Sequence, residues 1–178
     1  MGNYNQSTRN SIGDVNRGIL VETGDLTGTS YHIKAQVNLF TVYNRIIVYG
    51  LWGEVVLADL VAGTPPCYHQ FNWTSTIPVI TVQPLCAVSA DINGMVVGAR
   101  LTLPGDDSST VCAITYAEGI SYYNPTPMII GNSRSSAGVQ SYGVIGELTT
   151  TQPLTAGSIR YSILYVPLDH DAYVEALL

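Results

Sequence analysis

An antiparallel β-sandwich or jelly roll is the fold class this sequence predicts, and three observations carry the prediction. The first is an alternation near the C-terminus: Ile159, Tyr161, Ile163 and Tyr165 fall on one side of an extended chain while Ser158, Arg160 and Ser162 fall on the other. That is the period of a half-buried strand. The second is punctuation, because apolar runs recur every eight to fifteen residues with turn residues between them, in a chain of 17 glycines and nine prolines. The third is that no window of a dozen residues repeats apolar groups at helical spacing behind a capping residue. A C-terminal strand this apolar needs earlier strands to cover it.

The 178 residues divide into a flexible N-terminal arm, 1–18, and one β domain, 19–178. The arm is built of Asn, Gln, Ser, Thr, Gly and Arg with scattered Tyr4, Ile12 and Val15, too few apolar groups to offset the entropy of ordering them alone. Arg9 and Arg17 make it locally basic on a chain of formal net charge −6. An interaction role for the arm would place Tyr4, Ile12, Val15 and Ile19 in shallow apolar grooves and Arg9 and Arg17 on partner carboxylates.

Residues 19–36 predict short strands and loops. The run VNLFTVY, 37–43, then Asn44-Arg45, then 46–61 predict a hairpin followed by a long strand, with Gly50 and Gly53 marking a bulge or bend that carries it from one sheet to the other. Residues 63–78 predict a Pro-rich loop with Phe71 and Trp73 alternating inward on a short strand. Strand 79–84 and a return strand from 95 flank a tight reversal at Asn93-Gly94. Two further β runs fall at 110–116 and 128–131, around a loop with Tyr122, Tyr123, Pro125 and Pro127. Pairing of the C-terminal strand should end or shift at Val166, because Pro167 cannot donate a ladder hydrogen bond. The tail DAYVEALL is the best helix candidate, at about two turns.

Composition narrows function. Charged residues make up only 11% of the chain, against roughly 25% in an ordinary soluble domain, so much of the exterior is suited to meeting other protein. Lys34 is the single lysine, and no basic patch is available for phosphates, so nucleic acid is not expected as a partner. Cys67, Cys86 and Cys112 form no CxxC pair and predict buried free thiols of a protein made in a reducing cytoplasm. Neither a signal-peptide core nor a membrane span is present in the sequence pattern, so no membrane partner is expected and the sequons at Asn5 and Asn72 carry no glycan.

Motifs of chemistry are equally sparse. Asp169-His170-Asp171 would project its carboxylates to one side and its imidazole to the other, which favours a polar loop over a metal site. His32 and His69 have no ligand-spaced neighbours. Asp106-Asp107 lacks the acidic spacing of a calcium loop, and neither Ser158 nor the serines at 133–136 sit in a nucleophile turn. The expectation is a non-enzyme with no catalytic residue, metal or cofactor.

Three segments, LFTVYNRIIVYGLWGEVV at 39–56, CAVSADINGMVVGARLTLPG at 86–105 and GSIRYSILYVPLDHDAYVEAL at 157–177, together resemble a group of tailed-phage virion proteins, the small all-β head decoration or cement subunits. The last segment carries most of the similarity and the turn at 91–94 the next share. The resemblance implies a structural subunit on the capsid exterior that binds the major capsid protein, and it implies a homotrimer where the apolar strands alone predict some homo-oligomer. The alternative function is a phage tail or fibre module that binds surface glycans through exposed Tyr122, Tyr123 and Trp73.

Overall fold

The computed structural model describes residues 18–27, 37–63, 66–76, 79–105, 111–115, 127–132, 142–150 and 154–177. Among them are fourteen strands and no helix: β1 (Ile19–Glu22), β2 (Leu26–Thr27), β3 (Val37–Tyr43), β4 (Ile46–Val55), β5 (Val61–Ala62), β6 (Tyr68–Thr76), β7 (Val79–Pro84), β8 (Arg100–Thr102), β9 (Ala113–Thr115), β10 (Met128–Ile130), β11 (Tyr142–Thr150), β12 (Leu154–Ala156), β13 (Ser158–Pro167) and β14 (Tyr173–Ala176). Their pairings are all antiparallel.

One sheet runs β1-β13-β4-β8-β9, with β2 beside β13 and β10 beside β4; the other runs β14-β3-β11-β6-β7. Take β1, β3, β4, β6, β7, β8, β11 and β13 as first to eighth. The sheets then read first-eighth-third-sixth and second-seventh-fourth-fifth, which is the strand order of a jelly roll. The inward face of β13 is the predicted one, with Ile159, Tyr161, Ile163 and Tyr165 all buried. Across the core Tyr161 meets Phe71 of β6 edge to face, with ring centroids 6.0 Å apart.

Several local expectations are corrected. β3 and β4 match their predicted runs closely but are not a hairpin: β3 pairs β14 and β11 in one sheet, while β4 pairs β13, β8 and β10 in the other. The sheet change falls at Asn44, whose φ of 56° turns the chain through a conformation that Asn tolerates better than most residues. Gly50 does mark a bulge, since Leu164 pairs Gly50 and Tyr165 pairs Val48, leaving Tyr49 over. Gly53 instead makes room, because a Cβ there would stand 2.6 Å from the Tyr161 ring.

The expected loop at 63–78 contains a nine-residue strand, β6. Asn93-Gly94 is a turn with Gly94 at φ 83°, yet it does not close a hairpin, because β7 and β8 lie in different sheets. The predicted C-terminal helix is strand β14, where Tyr173 to Ala176 pair with Tyr43 to Phe40 and complete an edge of the second sheet. Two turns of isolated helix are weak, and the open edge of β3 offers a full ladder of hydrogen bonds. The pairing of β13 shifts earlier than expected, between Leu164 and Tyr165, and runs to Pro167.

Candidate interaction surfaces

Of the predicted arm residues, Tyr4, Arg9, Ile12, Val15 and Arg17 lie outside the described residues, as do Tyr122, Tyr123, His32, Asn5, Asp106-Asp107 and the serines at 133–136. Ile19 begins β1 opposite Tyr165 and is exposed on the outermost strand of its sheet. Asn72 is buried within β6, closed to modification in the folded chain. Trp73 is only 7% exposed, so it cannot serve as the open stacking platform that the glycan-binding alternative asks of it.

One end of the sandwich is closed by polar contacts. Asp169 takes Arg45 in a fork, with the Arg45 Nη2 2.7 Å and Nε 3.1 Å from its oxygens, and also accepts the Arg45 backbone N–H at 3.0 Å. This pairing raises the already high pKa of Arg45. Asn44 donates to Asp171 at 3.0 Å. The carboxylates of 169–171 therefore face the sheet-to-sheet corner and His170 is exposed, which makes the motif a clasp for the corner. Beside it, Tyr43 stacks on Tyr173 at 4.4 Å and lies 6.1 Å from Tyr142, three tyrosines level across three strands. Burial and the neighbouring Glu175 carboxylate raise the Tyr43 pKa.

The centre of the core holds polar chemistry that the sequence did not announce. Along β6 the inward positions include His69 and Phe71, and the fully buried imidazole has its Nε2 3.1 Å from the Tyr161 hydroxyl and its Nδ1 3.8 Å from the Cys112 sulfur. Burial pushes the His69 pKa down to about 3, so the ring is neutral. The Cys112 thiol donates to the Thr102 carbonyl at 3.5 Å. A hydrogen bond between Cys86 and Cys112 lowers the first and, with burial, raises the second well above a free thiol. All three cysteines are free and buried, and this His–Cys pair is sealed from substrate. Among the described residues no group of three His, Cys, Asp or Glu side chains is placed to hold a metal ion.

The opposite end is apolar and open. Leu57 is 67% exposed, Val61 46%, Val96 43% and Val97 47%. Their two loops are tied together, with Leu60 N–H donating to the Met95 carbonyl at 2.9 Å, Gly94 N–H to the Leu60 carbonyl at 2.8 Å, and Val97 N–H to Asp59 at 3.0 Å. Asn93 accepts the Ala62 N–H at 2.9 Å and so braces the start of the same patch. Scattered exposed apolar residues are ordinary, but four on adjoining, hydrogen-bonded loops mark a contact surface.

A second apolar feature is a groove of about 510 Å³ between β10 and the β6–β7 pair, lined among the described residues by Trp73, Pro84, Leu85, Met128, Ile129 and Ile130. Ile129 is 63% exposed at its mouth. The three described arginines are all engaged, Arg45 with Asp169, Arg100 with Glu54 and Arg160 with Asp25. No helix of the described residues is long and apolar enough to cross a membrane. No protein family, curated protein or solved structure matches the chain.

Proposed function

We propose that the chain is a virion structural protein, a capsid decoration or cement subunit that adds to the outside of an assembled phage head and ties neighbouring major capsid proteins together. The observation that carries this reading is the apolar end of the jelly roll, where Leu57, Val61, Val96 and Val97 stand on braced loops. Hydrophobic side chains on a preorganised surface give up little conformational freedom on docking, so their burial goes largely into affinity. Sparse surface charge and the sequence resemblance support the same role. In it the arm is a second anchor, with Tyr4, Ile12, Val15 and Ile19 meeting apolar grooves and Arg9 and Arg17 meeting carboxylates.

The test is stoichiometry. Quantitative gel densitometry of purified particles should find this chain in a copy number approaching that of the major shell protein. A count of only a few copies per particle would place it at a fibre or tail tip and end the cement reading.

A further inference from the structure

We infer that the groove between β10 and β7 seats the N-terminal arm of a second copy of this chain, so that the subunits form a head-to-tail ring. The inference deepens the cement reading and rests on it for the biological setting, but its geometry stands on its own. Seventeen residues precede Gly18. Extended, they reach up to roughly 60 Å.

The arm and the groove lie at the same level of the sandwich but on opposite sides. Ile19 of β1 pairs Tyr165 of β13, Tyr165 pairs Val48 of β4, and Val48 pairs Met128 of β10. The arm thus leaves from one lateral edge of the sheet, and the groove opens at the other, bounded by β10 and by β7, the edge strand of the second sheet. Three interstrand spacings, about 14 Å, separate them across the sheet. Val15 is three residues from Gly18 and reaches only about 10 Å, so in its own groove it could not dock, and Ile12 would be used up in crossing β13 and β4. A neighbouring copy with its β10 edge beside this β1 edge presents the groove where the arm emerges, and both Ile12 and Val15 can enter it.

The lining suits that occupant. The groove's apolar side chains match branched residues of the arm, and β10 pairs only with β4 among the described residues, leaving an edge that an extended segment can extend. A donor on one edge and an acceptor on the opposite edge make a heterologous contact, which closes into a ring when the rotation between copies allows.

The experiment uses the full chain and light scattering at micromolar concentration. The intact chain should be a closed oligomer. A groove variant, Ile129→Asp, and an arm variant, Ile12→Asp with Val15→Asp, should each fall to the mass of a single chain while keeping the β circular-dichroism spectrum. Mixed one to one, the two variants retain one intact arm and one intact groove between them and should form a one-to-one heterodimer. If Ile129→Asp fails to fold, Ile129→Thr keeps β propensity and should raise the dissociation constant at least tenfold. An intact chain that is monomeric, variants that keep the oligomeric mass, or a mixture that stays monomeric would overturn the inference. None of these results alters the particle stoichiometry that tests the cement reading, so the two can fail separately.

Discussion

The two ends of the jelly roll are finished in opposite ways. At one end Asn44, Arg45, Asp169 and Asp171 satisfy one another, so the sheet-to-sheet corner closes with charge-assisted hydrogen bonds and leaves little apolar surface in its loops. At the other, backbone hydrogen bonds hold the loops just as firmly, yet the side chains they present are Leu57, Val61, Val96 and Val97. Both ends are rigid, so order does not distinguish them; what differs is whether the exposed atoms prefer water. The polar end is complete as it stands, and the apolar end is completed by a partner.

Substitutions should separate the two ends. Gly131 packs against the Asn44 carbonyl with a φ of 101°, and a Cβ there would overlap that carbonyl. Gly131→Ala should therefore cost about 3 kcal/mol or more in denaturant unfolding. A matching change at the other end, Val97→Asp, should shift stability by less than about 0.5 kcal/mol. Comparable losses at both would dissolve the contrast.

Asn44→Ala removes the hydrogen bond to Asp171 and puts a Cβ-bearing residue without a local partner at positive φ, for a loss of about 2 kcal/mol. Asn44→Gly should recover roughly half of it, because only the backbone strain is relieved. An equal loss in both variants would assign the whole effect to the side chain.

Between the ends, His69 predicts a pH dependence. Its folded pKa of about 3 lies below the unfolded value near 6.5, so the unfolded chain binds a proton that the folded chain refuses. The contribution is full above pH 6.5 and falls by about 1.4 kcal/mol per pH unit as pH drops toward 3. His69→Gln should flatten that part of the acid limb relative to the parent chain, and parallel curves would show that His69 is protonated in the fold.

The fold was legible where a strand carries its own signal. The alternation of 159–165 named the buried face of β13, and VNLFTVY named β3 to the residue. Pairing was not legible: β3 and β4 look like a hairpin because only two residues separate them, and nothing local to Asn44-Arg45 says that each strand has stronger partners in a different sheet. The tail 171–178 failed for the same reason, since its strand exists through the free edge of β3. The buried His69 was visible only as alternation, Cys67, His69, Phe71, Trp73, once β6 is recognised as a strand. The apolar end was hidden because Val and Leu in a β sequence look like core until the two loops are placed together. Membership of a virion stays a reading of resemblance and surface chemistry.

The most direct measurement is binding of the full chain to purified head particles lacking it, comparing Leu57→Asp with Val97→Asp against a polar-end control, His170→Ala. Cement function through the apolar end predicts at least a tenfold loss of affinity for the double aspartate variant, about 1.4 kcal/mol or more, with the control unchanged. Undiminished binding by a folded double variant would contradict it.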